Sequence, residues 1–484
     1  MRLLELLKNK KIRTRIAPSP TGPLHIGTAR TALFNYIFAK QNNGDFILRI
    51  EDTDKQRSDK RFEEDIFNGL TWLDLKHDEL YRQSERTDIY RKYIKKLLDK
   101  KKAFWCYHSK EELGIEKKRQ IDHKEPPRHV CNHKNKSYCP PENKKGIIRL
   151  KGSDKKIKFD DLIRGEIEYN ASLLGDVAIA KNEDSPLYNF AVVIDDQEME
   201  ISHVIRGEDH IPNTPKQLLI QEALGFKKPV YAHVPLILGP DRSKLSKRHG
   251  ATSINEYKRL GYLKEALVNF IVLIGWNPGK DEELIERDRL EKIFSLKNIQ
   301  KGGAVFNVDK LNWFNREYIK NTPAEKLSAE LMEYIPEEWQ KEASRKKDFW
   351  NKITELEKPR LTTLSEIKEG IEFFFKKPIF PKHMLMWKSD TSKLEETLKH
   401  LEETTRAVSN IKDELFTKEE IKNSIWSYAE ENGKGEVLWP FRVALTGRNK
   451  SPDPFDISEI LGKEETLKRL KHAKDMIYGH SSTN

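Results

Sequence analysis

A histidine precedes a strongly helical segment in the sequence RIAPSPTGPLHIGTAR, residues 15–30. The first backbone N–H groups of a helix have no partner within the helix and carry partial positive charge, so a loop that ends there can bind phosphate. His25 adds a donor for a phosphate oxygen, and Gly27 allows a nucleotide to approach the backbone closely. We predict a phosphate-binding turn, although a turn that only caps the helix fits the same spacing.

A second group of candidate phosphate ligands lies far downstream, in DRSKLSKRHG from Asp241. Lys244, Ser246 and Lys247 follow the strand-like AHVPLIL, and two lysines there would hold a triphosphate as it rearranges. Taken alone, the segment also fits a solvated basic loop. The sequence contains no G-x-x-x-x-G-K-[ST] loop, which disfavours an ordinary P-loop enzyme.

Cysteine and histidine alternate in two short stretches, CYH and CNH. Cys106, His108, Cys131 and His133 form a C-x-H, C-x-H quartet, and nitrogen with sulfur is the ligand set of tetrahedral zinc. Cys139 is a further candidate ligand. The competing interpretation is a metal-free surface loop that contains unrelated His and Cys residues.

A βαβ unit is predicted around the first of these motifs. KIRTRIA alternates like a half-buried strand, and Pro18 and Pro20 end it. Apolar residues recur at helical spacing from Ala29, and DFILRIED from Asp45 predicts a second strand. Strand, loop, helix and strand build a parallel sheet, whose ligands bind at the carboxyl ends of the strands.

The rest of the chain changes character twice. Residues 102–147 are rich in Lys, His and Cys and interrupt the apolar pattern, as an inserted subdomain would. The segment from Ser185 to His210 has buried-strand character, and beyond Pro323 the pattern is almost wholly helical, with Thr417 and Glu420 spaced as a capping box. We therefore predict an α/β fold, in which a Rossmann-like parallel-sheet domain with an insertion precedes an all-α C-terminal domain.

Composition limits the classes of protein that fit. The 484 residues allow two or three domains, and the longest apolar stretch, ALVNFIVLIGW, is about half the length of a bilayer crossing. The N-terminus lacks the pattern of a secretory signal, and three cysteines fit a reducing compartment, so we expect a cytoplasmic protein without a membrane span. The net charge of +11 indicates either a polyanionic partner or a generally lysine-rich composition.

Together the two phosphate motifs resemble the HIGH and KMSKS signatures of class I aminoacyl-tRNA synthetases, and the surrounding sequence resembles the bacterial glutamyl-tRNA synthetases. RIEDTD, YNFAVVIDD and HVIRGEDHIPNTP extend the resemblance over essentially the whole chain. Thr28 stands in place of the last His of HIGH, and Leu245 in place of the Met of KMSKS. The glutaminyl branch is disfavoured, because it would carry PPEPNG where this chain has APSPTG and β-barrels in place of a helical tail.

The resemblance implies an enzyme that ligates L-glutamate to tRNA(Glu) with ATP and Mg²⁺, through a glutamyl-adenylate. It implies His25, Lys244 and Lys247 as catalytic residues. The implied ATP-binding residues are Pro18, Gly27, Thr28, Glu208, Ser246 and Lys247. The implied substrate-binding residues are Arg15, Ser19, Glu51, Tyr188, Asn189 and Arg206.

Within the substrate set, Arg15, Tyr188 and Arg206 would bind carboxylates and Glu51 the ammonium group. Without the resemblance, pairs such as Arg49 with Asp52, or Arg206 with Glu208, would be read as structural ion pairs. Relatives that bind zinc carry Cys-x-Cys in the first half of the site, so His108 departs from their pattern.

The implied domains are a catalytic domain of residues 1–85 and 196–322, an inserted tRNA acceptor-binding subdomain of residues 86–195, and a helical anticodon-binding domain of residues 323–484. We expect a monomer. Two alternatives remain open: an enzyme that also glutamylates tRNA(Gln), and a catalytically silent RNA-binding relative. The intact His25, Lys244 and Lys247 argue against the silent relative.

Overall fold

The predicted βαβ unit is present in a computed structural model that describes residues 11–54, 56–135, 145–250 and 252–479. Strand β1 (Arg13–Ile16), helix α1 (Ile26–Gln41) and strand β2 (Asp45–Ile50) form it, and β2 pairs in parallel with both β1 and β3 (Glu79–Arg82). Thr14, Arg15 and Ile16 are all buried, so β1 is not half-exposed as its alternating sequence predicts. Parallel strands are normally covered on both faces, which explains the difference.

A second sheet, formed by strands from the middle of the chain, lies next to the first. Strand β10 (His203–Gly207) begins beside β1, where the Ser202 N–H donates to the Arg13 carbonyl, and it pairs in parallel with β11 (Val230–Val234). This arrangement confirms the predicted Rossmann-like sheet. The carboxyl ends of β1, β2 and β10 all lie on the side of the sheet where ligands bind in such folds.

The predicted insertion contributes to two sheets. Strands β4 (Ala103–Cys106), β5 (Ile147–Leu150), β8 (Ala178–Asn182) and β9 (Ser185–Pro186) form an antiparallel sheet. Strand β6 (Lys156–Asp161) pairs with β7 (Gly165–Asn170) and, through Asp161, with Tyr231 of β11. Part of the insertion therefore extends the catalytic sheet.

The strand predicted after Ser185 is wrong over most of its length. Residues Tyr188–Glu198 form a helix whose central residues Phe190, Ala191, Val192, Val193 and Ile194 are all buried. A short apolar run does not distinguish a buried strand from a buried helix, because neither shows a polar face.

Chain contacts divide the protein into two units. The first comprises residues up to 258 together with 264–311, and the second comprises 259–263 and 312–484. The described residues of the predicted insertion fall in the first unit, and the predicted domain boundaries stay predictions. In the second unit, the Thr417 hydroxyl accepts the Glu420 N–H at the start of helix Lys418–Asn432, as the capping-box spacing predicts.

The remaining elements are mostly helical. The further helices up to residue 321 are Lys60–Trp72, Thr87–Asp99, Lys110–Asp122, Thr214–Leu224, Ile254–Arg259, Lys264–Leu273, Arg287–Ile293 and Val308–Asn321, with short strands Ile237–Leu238 and Ala304–Val305. The further helices after residue 321 are Ala324–Leu331, Glu337–Arg345, Lys347–Glu357, Ile367–Phe375, Leu394–Ser409, Lys434–Thr446, Pro454–Leu461 and Lys463–Tyr478. Among the described residues, no helix combines the length and apolar character needed to cross a bilayer.

Candidate active site

A cleft of about 780 Å³ opens at the carboxyl ends of β1 and β10. Most of the predicted catalytic, ATP-binding and substrate-binding residues line it: Arg15, Pro18, Ser19, His25, Gly27, Thr28, Glu51, Tyr188, Arg206, Lys244 and Ser246. Asn189 and Glu208 are not among the lining residues. The side-chain oxygen of Asn189 accepts a hydrogen bond from Gln217, and the carboxylate of Glu208 forms an ion pair with Arg164. Lys247 begins a 3₁₀ turn, but its side chain lies outside the described part of the chain.

His25 is the N-cap of helix α1. Its Nδ1 accepts the Gly27 N–H at 3.1 Å, while the Ile26 N–H donates to the Thr252 carbonyl. Burial lowers the pKa of His25 below its ordinary value, and the charge of Lys244 lowers it further. The ring is therefore neutral at pH 7, and since Nδ1 accepts a hydrogen bond, its proton is on Nε2. His25 thus caps the helix through Nδ1, and its Nε2–H is chemically able to donate to a ligand at the helix N-terminus.

Lys244 places an exposed cation at the edge of the cleft. It lies 64% exposed, and its ammonium is 3.1 Å from a carboxylate oxygen of Asp209, another residue of the cleft wall. An exposed ion pair of this kind contributes little to stability, so Lys244 can exchange Asp209 for a phosphate at small cost. His25 and Lys244 come from segments more than two hundred positions apart in the chain, and the fold brings both to the same cleft.

Arg206 is buried with one end of its guanidinium unpaired. Its Nε is 3.1 Å from His233 Nε2, its Nη2 donates to the Thr214 hydroxyl at 2.8 Å, and its Nη1 has no hydrogen-bond partner. The alternative ion pair with Glu208 is wrong, because Glu208 binds Arg164 and the Leu236 N–H. A buried donor without a partner is costly, and a bound carboxylate would satisfy it.

Arg15 and Glu51 are held by buried ion pairs. Asp196 accepts from Arg15 Nε at 3.1 Å and from Arg49 Nη1 at 2.7 Å, and Arg49 Nη2 donates to Glu51 at 3.2 Å. The alternative pair of Arg49 with Asp52 is wrong, because Asp52 instead accepts from Ser84. Burial raises the pKa of Glu51 even though Arg49 opposes the shift, so this carboxylate gains from a cationic partner in the cleft.

Several polar residues of the site are not predicted from the sequence, among them His210, Asp196 and His233. His210 lines the cleft, and its Nδ1 is 3.1 Å from the Tyr188 hydroxyl; burial lowers the pKa of His210 to about 4. Asp196 and His233 hold Arg15 and Arg206 from behind. His210 lies within HVIRGEDHIPNTP and Asp196 ends YNFAVVIDD, so the motifs give a usable signal for both, whereas His233 has none beyond its polarity in a buried strand.

A separate cluster of sulfur and nitrogen atoms lies in the insertion. One ligand atom from each of Cys106, His108, His129 and Cys131 falls within 4.8 Å of every other. The group contains three of the predicted ligands, Cys106, His108 and Cys131, and has His129 in place of the predicted His133. His133 instead accepts the Tyr107 N–H, and its ring stacks on that of His108. Cys139 lies outside the described residues.

The spacing within this cluster fits a tetrahedral metal. His108 Nδ1 is 3.5 Å from Cys106 Sγ and 3.6 Å from Cys131 Sγ, and His129 Nε2 is 3.6 Å from Cys106 Sγ. Tetrahedral zinc, with Zn–S of about 2.3 Å and Zn–N of about 2.0–2.1 Å, requires S···N separations of about 3.6 Å. His129 Nδ1 is 2.5 Å from Glu116, the carboxylate contact that typically orients a metal-bound histidine.

Comparison with known proteins identifies the family. The model for the catalytic domain of class I tRNA synthetases (E and Q) matches residues 11–313, which is more than half of the chain. The chain belongs to the class I tRNA synthetases. In this synthetase, residues 326–474 also match the model of an anticodon binding domain.

Full-length relatives agree with this assignment. The synthetase is 40% identical to a glutamate–tRNA ligase of Desulforamulus reducens, over 96% of this chain and 99% of the relative, and 42% identical to glutamate–tRNA ligase 1 of Caldicellulosiruptor saccharolyticus, over 96% and 99%. It is also similar to the crystal structure of a glutamate tRNA ligase from Elizabethkingia meningosepticum in complex with its amino acid, with 35% identity, 96% and 99% coverage and a TM-score of 0.84.

Proposed function

We propose that this synthetase ligates L-glutamate to tRNA(Glu) through a glutamyl-adenylate, with release of AMP and diphosphate. Its relatives carry the name glutamate–tRNA ligase over their full length. The observation that carries the proposal is the buried Arg206, whose Nη1 is unpaired at a cleft that Arg15 also lines. Two guanidinium groups suit an amino acid that has two carboxylates.

The activation step needs charge stabilisation more than a nucleophilic side chain. The substrate α-carboxylate attacks the α-phosphate of ATP, and the N-terminus of α1, His25 and Lys244 stabilise the charge that develops on the phosphate oxygens. Mg²⁺ would neutralise the phosphates when bound. Thr28 and Ser246 add hydroxyl groups to the cleft wall. The terminal ribose of tRNA then displaces AMP, so neither step requires a covalent enzyme intermediate.

Each end of glutamate has a matching group. Glu51 binds the substrate ammonium. Burial raises the pKa of the Glu51 carboxyl group, and the positive charge of the ammonium would compensate its negative charge. Arg206 binds the side-chain carboxylate, and Arg15 and Tyr188 complete the substrate pocket. Ser19 lies at the same wall, after β1.

The remaining parts of the chain are proposed to bind tRNA. The helical second unit contains the match to an anticodon binding domain, and residues 86–195 would hold the acceptor end. We propose a cytoplasmic monomer. Glutamylation of tRNA(Gln) is the second candidate activity, because the same glutamate pocket would serve both tRNAs.

ATP–pyrophosphate exchange tests the proposal. With tRNA(Glu) present, glutamate is expected to support exchange, whereas glutamine and aspartate at equal concentration are not. Exchange that depends on a different amino acid would refute the assignment of the substrate, and absence of exchange with every amino acid would favour the silent RNA-binding alternative.

The sulfur and nitrogen cluster is proposed as a zinc site. Cys106, His108, His129 and Cys131 would hold the ion, and its chemistry there would be structural, since four protein ligands leave no open position. Zinc would hold β4 of the insertion against the segment that contains His129 and Cys131.

We expect about one zinc per chain by elemental analysis of freshly purified protein. His129→Ala and Cys106→Ser are expected to lose most of it, because each removes a ligand. His133→Ala is the matched control and keeps its zinc, because His133 lies outside the group. Loss of zinc in His133→Ala with retention in His129→Ala would contradict the ligand set, and zinc-free wild-type protein would contradict the site.

A further inference from the structure

A buried chain of hydrogen bonds connects the substrate arginine to the predicted insertion. His233 Nε2 is 3.1 Å from Arg206 Nε, and His233 Nδ1 is 2.6 Å from a carboxylate oxygen of Asp161. The side chains of His233 and Asp161 are both fully buried, and neither lines the cleft. They therefore reach the site through Arg206 and through Thr214, whose hydroxyl lies 3.1 Å from His233 Nε2 and also contacts Arg206.

The hydrogen bonds fix the protonation of the histidine. Arg206 Nε can only donate, so His233 Nε2 accepts, and the ring proton is on Nδ1 and is donated to Asp161. Burial lowers the pKa of His233 below its ordinary value, which keeps the ring neutral. Asp161 is itself fixed, since it also accepts the backbone N–H groups of His233, Ile163 and Arg164.

A neutral acceptor has a specific consequence for Arg206. A carboxylate in the position of the imidazole would pair with the guanidinium and compensate its charge. The imidazole orients the guanidinium but leaves its charge available, and Thr214 holds Nη2 in the same way without adding charge. In the described structure, Arg206 forms no ion pair with any carboxylate, and its Nη1 stays unpaired.

We propose that His233 and Asp161 are positioning residues that orient Arg206 and preserve its charge for the side-chain carboxylate of the substrate. This inference rests on the proposed function. It assigns part of the preference for glutamate over glutamine to two residues that do not touch the substrate. Asp161 lies on β6, so the insertion also helps to build the amino acid pocket.

The test compares His233→Leu with His233→Gln. Leucine has a similar volume but no acceptor, so the KM for glutamate is expected to rise about ten- to a hundredfold with the KM for ATP nearly unchanged. Glutamine offers a carbonyl to Arg206 and an amide N–H to Asp161, so it is expected to restore most of the loss. If the leucine variant fails to fold, as judged by circular dichroism, His233→Met replaces it.

A double-mutant cycle separates positioning from general destabilisation. In the Arg206→Ala background, His233→Leu is expected to change kcat/KM for glutamate less than twofold, because the residue through which it acts is absent. Equal effects in both backgrounds, or equal rises in the KM values of ATP and glutamate, would overturn the proposal. Wild-type charging of glutamate, measured in parallel, tests the proposed function independently of either outcome.

Discussion

Replacing Arg206 with alanine is expected to lower kcat/KM for glutamate by about a hundred- to several-thousand-fold, with little change in the KM for ATP. Truncation of one partner of a desolvated charge pair typically costs about 2–5 kcal/mol, at about 1.4 kcal/mol per factor of ten. Arg206 is 5% exposed and has no carboxylate partner within the protein, so its removal is expected to weaken mainly the binding of the substrate carboxylate. Steady-state aminoacylation at varied glutamate and ATP measures both parameters.

Arg206→Lys separates charge from geometry. Lysine keeps the positive charge but loses the planar group that donates to His233 and Thr214 at the same time, so a substantial loss is expected here too. Arg289→Lys is the matched control, since Arg289 is 53% exposed and paired with Glu282. If both Arg206 variants have the wild-type kcat/KM for glutamate, the pocket for the substrate side chain lies elsewhere.

Replacing His25 with alanine is expected to lower the rate of amino acid activation by about two to three powers of ten. This is the usual effect of removing one preorganised donor from a site where negative charge develops. The alanine variant also loses the acceptor of the Gly27 N–H, which caps α1, so its thermal stability must be measured beside its activity.

Two further variants separate the capping function of His25 from its proposed contact with phosphate. His25→Asn keeps a short side-chain acceptor for the cap but lacks a donor at the position of Nε2, so it is expected to recover stability without activity. His123→Ala is the control, because His123 is an exposed histidine of the insertion. If His25→Ala retains the wild-type rate of pyrophosphate exchange, the assignment of His25 to the phosphate site is wrong.

The local sequence predicts the elements that begin this site. The alternation before Pro18 and the helical spacing after Ala29 correspond to β1 and α1, because both patterns arise from short-range geometry. The sequence of the helix Tyr188–Glu198 does not distinguish it from a strand, because its central residues are all apolar and all buried. Periodicity carries no information where an element has no exposed face.

The partners of the site residues were beyond prediction from spacing. Arg49 binds Asp196, 147 positions away, rather than the neighbouring Asp52. At the metal cluster, the repeated C-x-H pattern favoured His133, whereas His129, on the other side of Cys131, reaches the group. In each case tertiary structure selects among several chemically equivalent residues.

Charging of purified tRNA(Glu) tests the central claim most directly. The protein is incubated with ATP, Mg²⁺ and labelled glutamate or labelled glutamine, and the aminoacyl ester is measured, with tRNA(Gln) as a parallel acceptor. We predict that glutamate is esterified to tRNA(Glu) and that glutamine is charged about a thousandfold less efficiently or worse, because its amide leaves the Arg206 donors unpaired. Equal charging of the two amino acids, or charging of neither, would contradict the account.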